Sequence, residues 1–236
     1  MNAVAGGGTF LVFPALLFTG MPPVPANATN TVALWPGLAA GVRAFWPRLE
    51  VSRRILIPML ACSLLGGVAG ALLLLRTPGH IFMRLVPWLM LLGTLLFAFG
   101  GRLGLGRAGR ALHAATTAEL SAAVGFVFLV AVYGGYFGAG MGFLILDLLG
   151  ALGMTDIHDM NAQKIVMTAA INGVAVVTFI AARAVYWPQA LVILAGAVLG
   201  GYFGAHFSQR LPANLVRGFV LLVGAGMTVY FFVRTF

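Results

Sequence analysis

Residues Tyr133 to Lys164 read YGGYFGAGMGFLILDLLGALGMTDIHDMNAQK. Gly134, Gly135, Gly138, Gly140 and Gly142 interrupt an otherwise apolar run, and a short apolar piece with one carboxylate, Asp147, follows. A polar cluster of Asp156, His158, Asp159 and Asn161 comes next, then Lys164 at the head of another apolar run. In a bilayer, glycines that break a helix free backbone groups. Irregular backbone at that depth survives only where protein or a wet cavity surrounds it. Ionisable groups beside such a break are expensive in lipid and point to a transport pathway. The stretch is therefore expected to form one half of a substrate site.

The rest of the chain supplies the membrane context. Of 236 residues, 61% are hydrophobic and 8% charged, with a mean hydropathy of +1.02. Soluble domains carry about 25% charged residues. The apolar runs are about a bilayer long and do not alternate, which argues against a β-barrel and predicts an all-α membrane protein. The net charge of +9 comes almost wholly from arginines in short loops between apolar runs. That is a topology signal rather than a nucleic-acid stripe. The lone Cys62 cannot form an intrachain disulfide, and the four histidines have no metal-ligand spacing. No phosphate loop, nucleophile elbow or zinc-protease motif is present, so no cofactor, metal site or catalytic residue is expected.

Read in order, residues 3–20 form a glycine-rich apolar segment, and Met21–Pro25 a stiff turn. Spans are expected near 26–46, 55–76, 85–101, 119–139, 161–182, 188–207 and 215–234, with a short piece at 141–153. The halves repeat. Ala5-Gly-Gly-Gly-Thr-Phe-Leu-Val-Phe-Pro14 aligns with Gly138-Ala-Gly-Met-Gly-Phe-Leu-Ile-Leu-Asp147 at an offset of 147 − 14 = 133. At 134, Asn27-Ala28 meets Asn161-Ala162, Gly66-Gly67-Val-Ala-Gly70 meets Gly200-Gly201-Tyr-Phe-Gly204, and Arg76-Thr-Pro78 meets Arg210-Leu-Pro212. Paired, Gly/Pro-interrupted short segments in two repeats are the mark of secondary transporters. The organisation predicted is a first transmembrane repeat at 1–101, a basic cytoplasmic connector at 102–118 and a second repeat at 119–236. Together they make a polytopic bundle of about eight transmembrane helices. Gly-broken or re-entrant half-helices open each repeat.

Arg43, Arg48, Arg53, Arg54, Arg102, Arg107 and Arg110 fall on one side of the first repeat, and Arg76 and Arg84 on the other, which makes the first side cytoplasmic. Charge does not choose between a parallel and an inverted second repeat.

Gly6, Gly7 and Gly8, like Gly138, Gly140 and Gly142, sit where short apolar segments begin. Helix N-termini there would offer bare N–H groups and partial positive charge to an anion. Asn27, Thr29, Asn30 and Asn161 are read as ligands or as helix caps. Lys164, the chain's sole lysine, is read as an anion ligand, as a partner of Asp147 or as a snorkelling side chain. Asp147 is a candidate proton-coupling residue. His158, in a connecting loop with Asp156 and Asp159, is a candidate gate. Asn172, deep in its span, must find a partner in helix packing or in the cavity. Gly66–Gly70 and Gly200–Gly204 are read as helix-packing surfaces.

Asn2-Ala-Val-Ala-Gly6-Gly7-Gly8, then Pro14, then Pro22-Pro23-Val-Pro-Ala26-Asn27-Ala28-Thr29-Asn30 resembles the first-repeat motif of the sulfite exporter (TauE/SafE) family of anion transporters. Tyr133-Gly134-Gly135-Tyr136-Phe137-Gly138-Ala-Gly140-Met-Gly142, with Asp156-Ile-His158 and Asn161-Ala162-Gln163-Lys164, is similar to its second-repeat motif. The resemblance covers essentially the whole chain. Two departures stand out: the family carries apolar sequence ahead of the first motif, so the N-terminus is expected to be truncated, and Asp147 stands where an apolar or small residue or Pro is usual. The resemblance implies a secondary transporter, most simply an exporter, of sulfite, a sulfonate or a related sulfur-containing organic anion, by alternating access. It also implies a multi-pass location in a bacterial inner membrane, with protons as a candidate coupling ion. Lipid and a small anion are the expected partners, nucleic acid is not, and a homo-oligomer is left open. An anion channel, a membrane scaffold and a membrane-embedded enzyme are the alternatives.

Overall fold

The structure, a computed structural model, describes residues 8–45, 53–99, 117–154, 156–208 and 213–236. Gly6, Gly7, most of the 102–118 connector and the Arg210-Leu-Pro212 match lie outside the described residues. Every regular element among the described residues is an α-helix: α1 Gly8–Phe18, α2 Pro23–Phe45, α3 Arg53–Arg76, α4 Gly79–Phe99, α5 Thr117–Tyr136, α6 Met141–Ala151, α7 Ile157–Ala181, α8 Trp187–Ser208 and α9 Ala213–Thr235.

Four segments among them are long and apolar enough to cross a membrane: Leu56–Arg76, Gly79–Phe99, Ile157–Ala181 and Gly218–Thr235. Large apolar side chains such as Leu65, Trp88, Leu129, Val177, Val192 and Leu222 lie on the outside. A water-soluble monomer does not expose so much apolar surface, whereas a lipid-facing one must. The polar residues of α2 point the other way. Asn27, Thr29 and Asn30 are each at most 1% exposed, so α2 is internal although its sequence is less apolar.

Two helix starts differ from the sequence expectation. The α4 helix begins at Gly79 rather than 85, immediately after Pro78, with His80 and Arg84 on its exposed side. The α7 helix begins at Ile157, so His158 and Asp159 form its first turn and not a loop. Asp156 is the reason: its Oδ1 accepts from His158 N at 2.6 Å and Asp159 N at 3.3 Å, capping two N–H groups that have no helical acceptor. Asn27, Thr29, Asn30 and Asn161 consequently lie within helices and are not their caps.

Helix starts recur at one spacing: 157 − 23, 187 − 53 and 213 − 79 are each 134. Neighbour relations recur too. The pairs α1–α2 and α6–α7, α3–α7 and α8–α2, and α4–α6 and α9–α1 are all in contact, while α2 packs on α7 and α4 on α9. The short α1 and α6 have 11 residues each, about 16 Å of helix against a hydrocarbon core of about 30 Å.

Among the described helices, α3 packs most extensively on α5, and glycines let the two approach closely. A Cβ on Gly66 would stand 2.6 Å from Ala131 Cβ and 2.7 Å from Phe128 O, and one on Gly67 2.8 Å from Ile171 O of α7. A Cβ on Gly70 would meet the Val132 carbonyl, and one on Gly135 the Gly67 carbonyl. Backbone surfaces therefore touch directly, the packing that small residues permit between membrane helices. Gly70→Ala should destabilise the protein by about 1–3 kcal/mol through overpacking. Gly125→Ala on α5, where a Cβ meets nothing within 4 Å, should not lower the melting temperature in detergent and should raise it slightly, by the helix preference of Ala over Gly.

Candidate functional site

The α5 helix ends at Tyr136, and Phe137 to Gly140 form the break before α6. Gly138 has φ +80° and Gly140 φ +78°. This left-handed region is open to glycine at little cost and to other residues at about 1–2 kcal/mol. Gly140 is also confined, since a Cβ there would lie 3.0 Å from Gly93 O.

Side chains from the surroundings hold the break. Tyr133 OH donates to Ala139 O at 2.6 Å, and Asn27 Nδ2 on α2 donates to Tyr136 O at 2.9 Å. Phe137 enters an aromatic cluster, edge-on to Phe13 of α1 with centroids 5.6 Å apart and to Phe82 of α4 at 6.4 Å. Phe13 also meets Phe82 at 6.1 Å. The second broken segment is thus anchored to the first by Phe13 and Phe137.

Beside the break is a cavity of about 80 Å³, walled by α1 (Thr9), α2 (Thr31, Leu34, Trp35, Leu38), the break and α6 (Phe137, Gly138, Gly140 to Phe143, Leu146), and α7 (Lys164, Ile165, Thr168, Asn172). The first turn of α6 is on its wall, and there Met141 N donates to Gly138 O at 3.4 Å and Phe143 N to Gly140 O at 3.0 Å, which leaves the Gly142 N–H for a ligand. Lys164 lies against that turn: a Cβ on Gly142 would stand 3.3 Å from Lys164 Cδ. Its Nζ donates to Asn161 Oδ1 at 2.8 Å, and Asn161 Nδ2 in turn donates to Ile157 O at 2.8 Å. The ammonium is thereby tethered near the mouth of α7, beside the break. Across the cavity, Trp35 Nε1 donates to Ala169 O at 3.0 Å and ties α2 to α7. One cation, the Gly142 N–H and the Thr9 hydroxyl on the wall of a small space suit a desolvated anion.

The residues singled out in the sequence are distributed as follows. Gly138, Gly140, Gly142 and Lys164 line the cavity. Asn30 lies one layer behind it, donating from Nδ2 to Thr9 Oγ1 at 3.4 Å, while Asn27 holds the break and Thr29 Oγ1 accepts from Tyr186 N at 3.0 Å. Gly8 opens α1, one residue before the lining Thr9. Asp147 is half-buried on α6, outside the lining, and His158 is exposed in the first turn of α7. Thr9, Thr31, Trp35 and Thr168 are cavity residues that sequence reasoning did not single out, and Asn172 takes the cavity option. The available signal was the i, i+4, i+8 spacing of Lys164, Thr168 and Asn172, which puts all three on one helix face.

Asn27→Leu leaves the Tyr136 carbonyl without its donor and should cost about 1–3 kcal/mol. The loss is to be read as a lower melting temperature in detergent.

The model of the sulfite exporter TauE/SafE family matches residues 1–231. Similar proteins include a "probable membrane transporter protein" of Haemophilus influenzae, 30% identical over 230 residues, which are 97% of this chain and 88% of that one. Another is "probable membrane transporter protein ORF9" of Sinorhizobium sp, 26% identical over 97% of this chain and 86% of its own length. A third is "probable membrane transporter protein YfcA" of Escherichia coli, 27% identical over 97% and 83%. No solved structure matches the chain.

Proposed function

The chain belongs to the sulfite exporter TauE/SafE family, a family of membrane transporters, and from that premise we propose that it is a secondary transporter of a small oxyanion. The substrate class is sulfite, a sulfonate or a related sulfur-containing organic anion. The direction is export across a bacterial inner membrane, by alternating access. The observation that carries this reading is the juxtaposition of Lys164 with the first turn of α6 on the wall of an internal cavity. Helix termini of this kind, set by broken membrane segments, are where transporters present partial charges to ions.

In this reading the chain crosses the membrane about eight times in two repeats, 1–101 and 119–236, joined by a cytoplasmic connector. The recurrence of helix starts at 134 residues and of the neighbour pairs supports that arrangement. The α1 and α6 half-helices stop partway, and the cavity lies between the α2 and α7 helices that follow them. Alternating access then consists of α1 and α2 shifting at the α2–α7 contact, where Trp35 bridges the repeats, beside the frame that α3 forms with α5 and α7. Asp147 is the proposed proton-coupling group. His158, six residues before Lys164 and about 9 Å along the helix, is the proposed gate. Gly6, Gly7 and Gly8 are proposed to repeat the role of the second break from the first half.

A charge-assisted contact to a bound anion is worth about 1.5–3 kcal/mol, about ten- to a hundredfold in affinity. Lys164→Met should therefore lower the affinity for radiolabelled sulfite or methanesulfonate in proteoliposomes by that factor, and Lys164→Arg should retain more of it. Uptake that saturates with anion concentration separates a carrier from a channel. Uptake indifferent to Lys164 contradicts the assignment. If Asp147 couples protons, Asp147→Asn should abolish the dependence of wild-type uptake on an imposed pH gradient.

A further inference from the structure

The cavity has chemically unequal walls. On α7, Lys164, Thr168 and Asn172 face it in a row. Lys164 has two donors to spare for a ligand and Asn172 one. Thr168 Oγ1 spends its proton on the carbonyls of Lys164 (2.8 Å) and Ile165 (3.1 Å), and Asn172 Nδ2 donates to Thr168 O at 3.0 Å. Thr31 Oγ1 on α2 is likewise committed, to Asn27 O at 2.9 Å.

The positions on α2 that match Lys164, Thr168 and Asn172 at a spacing of 134 are Asn30, Leu34 and Leu38. Asn30 is turned to Thr9, and Leu34 and Leu38 line the cavity beside Trp35. Phe143, Leu146 and Ile165 add further apolar surface. The one cation of the lining is therefore at Lys164, beside the Gly142 turn, whereas the rest of the space is hydrocarbon, an indole, acceptor oxygens and the neutral donors of Thr9 and Asn172. A second negative charge meets no second cation among the lining residues. A bare, strongly hydrated oxyanion would leave the apolar part unused.

Resting on the anion-site reading above, we infer that Leu34 and Leu38, with Trp35, select substrates that carry one anionic head and a short uncharged apolar substituent. The head sits at Lys164 and the first turn of α6. The substituent lies against the two leucines. Small inorganic oxyanions and dianions with charge at both ends are the disfavoured classes. Each methylene buried against such a wall is worth about fourfold in affinity.

The test is calorimetric titration of the purified full chain in detergent with sulfite, methanesulfonate, ethanesulfonate, propanesulfonate and ethanedisulfonate. Wild type should bind more tightly by about fourfold per methylene from methane- to propanesulfonate, with sulfite weaker and the disulfonate weakest. Leu38→Asn, which installs the residue that α7 carries at the matching position, should reduce the propane-to-methane affinity ratio to about one. Leu34→Ala, a change that keeps the wall apolar, should leave a ratio between the two, and it serves if Leu38→Asn does not fold. A flat alkyl series in wild type, or an unaltered ratio in both variants, overturns the inference. If methanesulfonate binds in a Lys164-dependent way but the series is flat, the anion site stands and only the selectivity falls. If no probe binds, both fall together.

Discussion

Breaking a helix inside hydrocarbon leaves peptide groups with no water to turn to, and the arrangement around residues 137–140 is governed by how those groups are satisfied. Two carbonyls of the break region, Tyr136 O and Ala139 O, are taken by Asn27 Nδ2 and Tyr133 OH. Each would cost about 1–3 kcal/mol if left alone. With those two carbonyls occupied, the Gly142 N–H at the start of α6 is a donor left on the cavity wall. An anion is the guest that such an end favours. The same contacts fix where the site lies, because Asn27 belongs to α2 and Phe137 packs on Phe13 of α1. Support for the break and assembly of the cavity are one piece of packing.

Glycine serves two separate purposes in this fold. At Gly138 and Gly140 it permits a backbone turn that a side chain would strain, and the turn sets the direction of α6. At Gly66, Gly67, Gly70 and Gly135 it removes side-chain bulk so that α3 can lie directly on α5 and α7. The second use builds a rigid frame and the first builds the site within it. The two uses depend on each other, since helices of 11 residues rely on the longer helices packed around them.

Much of this was legible in the residues. Gly138, Gly140, Gly142 and Lys164 stand out because glycine runs and a lone lysine are anomalous in an apolar chain, and they line the cavity. The Gly66–Gly70 run reads as packing, and packs. What sequence did not reveal was where a polar side chain on an internal helix would be directed. Asn27, Thr29 and Asn30 read as ligands or as helix caps, and in the fold Asn27 reaches Tyr136, 109 residues away, and Thr29 meets Tyr186. A buried amide satisfies the same physical demand on a ligand as on a distant open carbonyl, so sequence cannot separate the two. Trp35, Leu34 and Leu38 escaped notice for the opposite reason, because apolar residues in an apolar helix carry no anomaly. Asp156 held a helix start that read as a loop, since its cap depends on local geometry and not on hydropathy.

The central claim is that the first turn of α6 and the Lys164 ammonium jointly hold an anionic head. Crystals of the protein grown with 2-bromoethanesulfonate test it most directly, through the anomalous signals of sulfur and bromine. The account predicts the sulfur within hydrogen-bonding reach, through its oxygens, of Gly142 N and Lys164 Nζ, with bromine toward Leu34 and Leu38. Sulfur density confined to surface arginines, with that cavity empty of anion, would contradict it.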